Sequence, residues 1–205
     1  MYWQCSAGLR NIDLAMFLIT LEQSNTDLEA EMHVKFDPHP KFYDLAKQKP
    51  QRPLILIAPG TGLAPCRSLI WDREELLLEC QRTVGKSYLF YGGRNKAADF
   101  FYSNEWKDYR ALQVEVFPAF SRDQKEKIYV QDIIRQNGKL VNHLIRNENA
   151  IIYVCGSSGK MPTAVKEALI DVVFELQAEK KHDREKIAEF FETFVKEGRY
   201  IQETW

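Results

Sequence analysis

The feature that most constrains this chain is a repeated change of period that begins after Pro53. Short runs rich in β-branched and aromatic residues alternate with longer segments whose apolar residues recur at helical spacing. The short runs are LILIA from Leu54, SYLFYGG from Ser87, VEVFPAF from Val114 and IIYVCGS from Ile151. The helical segments run from about Cys66 to Cys80, Phe100 to Tyr109, Tyr129 to Ile145, Met161 to Leu176 and Arg184 to Lys196. Strands that are apolar on both faces need cover on both faces, and helices between them imply that they run parallel. The expected fold class is therefore α/β: a doubly wound, mainly parallel five-stranded sheet with helices on both faces, RYIQETW from Arg199 supplying an edge strand.

The first fifty residues lack this rhythm. They hold a polar, acidic stretch, NTDLEAE from Asn25, and then KFDPHPKFYDLAKQKPQRP, whose prolines and basic residues read as an extended connection. The boundary falls near Pro53, dividing residues 1–52 from 53–205.

At 205 residues and 24.0 kDa the chain can bury one full core, with a fragment of a second domain beside it. Its 28 Lys and Arg against 29 Asp and Glu leave a net charge of −1, so no whole-protein field attracts nucleic acid or anionic lipid. Anion recognition must be local, and neither nucleic acid nor membrane is expected as a partner. The longest apolar run, LAMFLITL from Leu14, is far short of a span, and no signal peptide is expected, since no basic flank precedes an apolar run with a small-residue cleavage site. Cys5, Cys66, Cys80 and Cys155 lack the close spacing of a disulfide framework or a zinc site, which fits a reducing compartment, the cytosol.

Ligands of open α/β sheets bind outside the carboxyl ends of the strands. Three of the strand runs end there on small residues: APGTG from Ala58, YGGR from Tyr91 and CGSSG from Cys155. Glycine lets backbone amides approach a phosphate, and a following helix N-terminus adds partial positive charge. Each loop alone also reads as a plain turn. The dinucleotide pattern G-x-G-x-x-G fails because Pro65 stands where its third glycine belongs, and GSSGKM from Gly156 is too short between its glycines for a P-loop. A second constellation, AFSRDQKEKIYVQ from Ala119, offers a hydroxyl at Ser121, cations at Arg122 and Lys127, a phenol at Tyr129 and an amide at Gln131. These suit a small anion pocket, and they suit equally a solvated basic loop.

In this order, PGTGLAPCR, YGGR followed by DFFY, AFSRDQKEKIYVQ, YVCGSSGKMPTAV and the terminal RYIQETW resemble the NADPH-binding domain of the ferredoxin-NADP reductase superfamily, in the diflavin branch that includes cytochrome P450 reductase. The resemblance covers about Pro53 to Trp205. Within the branch the chain is most similar to reductases that pass electrons to an anamorsin-like iron-sulfur protein in cytosolic cluster assembly, on the KIYVQ core and the ending ETW.

The resemblance implies NADPH as cofactor, with FAD held mainly by a neighbouring domain and FMN in the full-length enzyme. It assigns Gly60, Thr61 and Gly62 to the pyrophosphate and nicotinamide end of NADPH. Ser121, Arg122, Lys127 and Tyr129 would grip the phosphate on the adenosine ribose, with Gln131 near the adenine. Arg94, Ile128, Val130, Gly156 and Met161 complete the implied cofactor contacts. Cys155 and Glu203 match the cysteine and carboxylate beside the nicotinamide, which position hydride transfer and handle the accompanying proton. Trp205 matches the terminal aromatic that stacks on the flavin and swings away. Without the resemblance, Trp205 reads as an anchor on the sheet edge and Cys155 as a small buried strand residue.

Departures from the family pattern are Cys66 for a usual Phe, Gly93 for a common Cys, Ala164 for an Asp of P450 reductases, and Glu203 for Asp. The flavin-barrel signature RxYS is absent, and QCSAGL from Gln4 stands as a remnant of a GxCS flavin-phosphate motif with Trp3 at its glycine. Residues 1–52 are thus expected to be the end of a flavin-binding domain and a linker. The chain is expected to be the C-terminal portion of such a reductase, with the flavin domains of the same polypeptide as partners, and inactive in hydride transfer alone. A second reading is a non-catalytic nucleotide-binding or docking module, with helices near Val165 to Leu176 or Ile187 to Val195 facing a partner.

Overall fold

A computed structural model describes residues 49–78, 80–108, 113–174 and 184–205. The end of the first region, residues 49–52, belongs to the described part; the readings of residues 1–48, including Gln4 to Leu9, lie outside it.

Five strands form one sheet: β1 Leu54–Pro59, β2 Ser87–Gly93, β3 Val114–Phe120, β4 Ile151–Gly156 and β5 Tyr200–Thr204. Every pairing is parallel and the order is β3-β2-β1-β4-β5. The central β1 explains its own composition, since Leu54 to Ala58 are all at 0% exposure and must be apolar on both faces. Successive side chains alternate: Leu54, Leu56 and Ala58 face one core cluster, Ile55 and Ile57 the other. Pro118 sits in β3, at the sheet's edge, where a missing amide donor costs no ladder bond.

On the first face lies α1, Leu63–Leu78, entered through a 3-10 turn at Gly60–Gly62. It buries Leu63, Cys66, Leu69 and Ile70 against β1, β2 and β4, and Trp106 from the short α3, Glu105–Asp108, extends that layer. The second face carries α4 Val130–Gln136, α5 Gly138–Arg146, α6 Met161–Phe174 and α7 Arg184–Lys196. The apolar residues of α6, among them Val165, Leu169 and Val172, are buried in this core together with Phe191 and Phe194 of α7. Those buried residues pack within the domain, while Val195 of the same α7 is exposed; residues 175 and 176 and the side chain of Ile187, also part of the docking reading, lie outside the described residues.

Two helical segments differ from their expected form. The stretch from Tyr129 to Ile145 is two helices, broken at Asn137, whose side-chain amide donates to the Ile133 carbonyl at 2.8 Å. The segment near Phe100 to Tyr109 is a turn followed by the four-residue α3, preceded by the equally short α2, Lys96–Asp99. An aromatic cluster of Tyr91, Phe100 and Phe120 packs that turn onto the sheet, and this tertiary contact overrides the local helical spacing.

Opposite the glycine-rich strand ends, Arg73 of α1 is buried, donating to the carbonyls of Gly85 at 2.7 Å and Arg52 at 2.6 Å. Burial pulls its guanidinium down to about 9. These bonds tie α1 to the chain entering β1 and β2 and leave the other end of the sheet for a ligand. Among the described residues no helix is long and apolar enough to cross a membrane.

Candidate cofactor-binding site

The register of the sheet aligns the carboxyl ends of three strands. Pro59 pairs with Gly92, and Gly92 with Ala119, so β1 ends in the row just before the last residues of β2 and β3, Gly93 and Phe120. Beyond that row lies a cavity of about 740 Å³, lined by Pro59, Gly92 and Ala119, a size suited to a small-molecule cofactor. Of the residues singled out from sequence, Gly60, Arg94, Ser121, Arg122, Lys127, Ile128, Tyr129, Val130, Gln131 and Met161 line it. The strand order reverses direction at β1, whose neighbours are β2 and β4, and the cavity opens at this switch point.

The cavity is cationic. Arg94, Arg122, Lys127 and Lys160 line it against a single carboxylate, Asp99. Asp99 is already engaged: it accepts from the backbone amides of Arg94 and Asn95, both at 2.9 Å. Those amide bonds, Asn95 first, hold its carboxyl below the usual range, with Arg94 and Arg122 adding in the same direction. Asp123 does the same service from the neighbouring loop, accepting from the Asn95 side chain at 3.2 Å and the Lys96 amide at 2.9 Å. Main-chain bonds complete the join, from the Ser121 amide to the Gly93 carbonyl at 3.0 Å and from the Arg122 amide to the Arg94 carbonyl at 2.8 Å. The two cation-bearing loops are therefore one stapled unit.

Tyr129 precedes α4, and its amide donates to Asp132 Oδ2 at 2.8 Å, the acidic half of a capping box that fixes where the helix starts. Val130 is buried under the cavity while the Tyr129 ring stays 44% exposed at its mouth. Tyr91 lies on the cavity floor, its hydroxyl donating to the Asp99 carbonyl.

A second group sits beside the cavity, at the ends of β4 and β5. Thr61, Gly62, Cys155, Gly156, Glu203 and Trp205 are not among the lining residues of the cavity. Cys155 pairs with Glu203 and Gly156 with Thr204 in the β4–β5 ladder, and the Trp205 amide donates to the Gly156 carbonyl at 3.1 Å. The Ser158 amide donates back to the Trp205 carbonyl at 2.8 Å. The backbone of the last residue is thus fixed on both sides while its ring is 54% exposed, which removes the reading of Trp205 as a packed edge anchor. Cys155 is fully buried, as the plain strand reading expects.

The glycines do different work. Gly62 lies so close to β4 that a Cβ there would meet the Cys155 carbonyl oxygen at 1.9 Å. Gly60 has φ +61 and open space around it, so its backbone conformation is what requires glycine. Gly156, at φ +147, has Pro59 and the Met161 methyl as neighbours, at 3.1 and 3.3 Å from an added Cβ. Through these contacts the Gly60–Gly62 turn bridges the cavity and the Cys155 group. Cys66, beneath that turn, is fully buried, and burial first, then Cys155 and Glu203, pushes its thiol well above the ordinary value.

Asp99, Lys160 and Tyr91 belong to the cavity without having been singled out. Asp99 lies in DFFY, and Lys160 in GSSGK, in the loop after β4, where its position is the sequence signal.

Comparison with known proteins agrees with this geometry. The family model described as the oxidoreductase NAD-binding domain matches residues 56–167. NADPH-dependent diflavin oxidoreductase 1 of Aspergillus fumigatus is 45% identical over 164 residues, 75% of this chain and 25% of that protein. The protein of the same name in Schizosaccharomyces pombe is 38% identical over 180 residues, 87% of this chain and 29% of that protein. An NADPH-cytochrome P450 reductase of Candida maltosa is 40% identical over 157 residues, 75% of this chain and 22% of that protein. The chain spans about a quarter of the length of the curated relatives it matches. An all-parallel α/β sheet, a cationic cavity at its switch point and a family match over more than half of its length agree, and the chain belongs to the oxidoreductase NAD-binding domain family.

Proposed function

We propose that this chain is the NADPH-binding portion of a diflavin oxidoreductase. The observation that carries the reading is the cavity's charge: four cations and one already-bonded carboxylate at the carboxyl ends of parallel strands. Such a site fits a ligand with several phosphate oxygens, and the stapled Ser121–Arg122 loop fits the 2′-phosphate that distinguishes NADPH from NADH. Lys127 and Tyr129 join that grip, Gln131 faces the adenine, and Gly60 with Thr61, Arg94 and Lys160 serves the pyrophosphate. Cys155 and Glu203 stand on the nicotinamide side, and the exposed Trp205 ring offers a face to a flavin.

Bound NADPH would supply a hydride for the flavin, FAD, which would take up one further proton. Cys155 and Glu203 would orient the nicotinamide and handle that proton, and the exposed Trp205 ring would cover the flavin and give way to the nicotinamide. The full-length enzyme would carry FMN as well and would serve an anamorsin-like iron-sulfur protein in cytosolic cluster assembly, an assignment supported by the KIYVQ and ETW segments and by relatives named diflavin oxidoreductases. The flavins belong mainly to flavin domains of the same polypeptide, with residues 1–52 as the end of one of them.

Calorimetric titration of the purified chain with NADPH and with NADH tests the reading. NADPH should bind at least tenfold more tightly, since NADH leaves the Arg122 and Lys127 charges without the phosphate they face. Equal affinities would remove the pocket assignment.

A further inference from the structure

Two side chains, from two strands, converge on the hydroxyl of a third residue. Tyr153 and Cys155 lie two residues apart on β4 and so point to the same face, and the ladder sets Glu203 of β5 directly beside Cys155. The Tyr153 hydroxyl is 2.7 Å from Glu203 Oε2 and 3.6 Å from Cys155 Sγ. We propose that Tyr153 is a positioning residue for hydride transfer, its phenol holding the Glu203 carboxylate in one orientation next to the Cys155 thiol. This rests on the reading of Cys155 and Glu203 as the nicotinamide-side pair.

The three residues differ in what fixes them. Tyr153 is at 0% exposure, its ring packed with Leu54, Leu56 and Leu69 in the core under α1, and a packed ring has no freedom to aim its hydroxyl elsewhere. Glu203 lies on the edge strand β5, half-buried, with three side-chain torsions. Left unheld, such a side chain distributes over several rotamers, and a carboxylate that must meet a nicotinamide would be in place only part of the time. A phenol has one hydrogen to donate, and the carboxylate at 2.7 Å takes it, which is a short, charge-assisted bond. Cys155 Sγ lies 3.6 Å from the same oxygen. One rigid group thereby sets the position of a carboxylate 50 residues away in sequence and contacts the thiol.

The Tyr153→Phe variant keeps the ring and removes only the hydroxyl. In this chain labelled at the tyrosine ring carbon that bears oxygen, NMR should show a hydroxyl proton protected from exchange, lost both in Tyr153→Phe and in Glu203→Ala. In a flavin-loaded reductase carrying this chain, stopped-flow flavin reduction at saturating NADPH should slow about tenfold in Tyr153→Phe with NADPH affinity unchanged. Combining it with Glu203→Gln should cost no more than Glu203→Gln alone, because the phenol acts through the carboxylate. A hydroxyl signal that survives Glu203→Ala overturns the positioning role. So does Tyr153→Phe within twofold of the unaltered rate while Glu203→Gln is slow. A Glu203→Gln variant at full rate removes the nicotinamide-side reading itself, and the role of Tyr153 with it.

Discussion

Replacing Ser121 and Arg122 together by alanine should weaken NADPH binding by roughly 100-fold and leave NADH binding within about twofold. Two charge-assisted contacts to a phosphate dianion are worth about 3 kcal/mol together, and 1.4 kcal/mol is tenfold. The loss should be confined to binding, because neither side chain holds the loop in place. Its attachment is the pair of main-chain bonds from the Ser121 and Arg122 amides to Gly93 and Arg94, at 3.0 and 2.8 Å, and the Asp123 carboxylate on Asn95 and Lys96. The Ser121 hydroxyl makes only a long contact to the Gly93 carbonyl, at 3.4 Å, so it is free to turn to a ligand. An unchanged urea midpoint alongside the lost affinity would separate this effect from unfolding.

Gly62→Ala is expected to have the largest effect on stability, about 4 kcal/mol or more. The added Cβ would stand 1.9 Å from the Cys155 carbonyl oxygen and 2.6 Å from its carbon, both backbone atoms of a fully buried strand. No side-chain rotation relieves such a clash, so the turn and the end of β4 must separate. That separation would also part the Cys155 group from the cavity. Gly60→Ala is the control two residues away: it meets no atom within 4 Å, and only its φ of +61 resists a side chain, at about 1 kcal/mol. Urea unfolding of both variants checks the pair. A Gly62→Ala chain as stable as Gly60→Ala would contradict the packing of the turn on β4.

These two glycines also show what could be read in the chain before its structure. LILIAPGTG announced a buried strand ending in a turn, and that much follows from local period and composition. Both glycines were assigned to the approach of a ligand; the close approach at Gly62 is to β4, whose carbonyl comes from 93 positions further along, and no local pattern encodes it. The sheet itself was legible because parallel strands buried on both faces leave uninterrupted apolar runs, and the helical spacers between them dictate the layering. Even the weak edge strand after Arg199 is present, in register with β4.

The helix break at Asn137 had a signal that went unused, since Asn-Gly is a common turn pair and Asn137 is followed by Gly138. The ambiguous basic loop was ambiguous for a physical reason. Ser121, Arg122 and Lys127 look alike whether they face solvent or a cavity, and what decides is the contribution of Arg94 from just beyond β2 and Lys160 from beyond β4. Asp99 was unreadable as a staple because its role depends on the backbone amides that the β2 turn presents. The contact of Tyr153 with Glu203 depends on the β4–β5 register, which follows only once the edge strand is placed.

The most direct test of the central claim is the phosphorus NMR spectrum of NADP⁺ as the chain is added, followed from neutral pH downward. Four cations around one cavity should hold the 2′-phosphate as a dianion, so its resonance should shift on binding and stay at the dianion position as pH falls through about 6, where a free phosphate monoester takes a proton. The Ser121→Ala, Arg122→Ala variant should return it to the free titration. A 2′-phosphate resonance that titrates in the unaltered chain as it does in free NADP⁺, while the pyrophosphate signals move, would contradict the account.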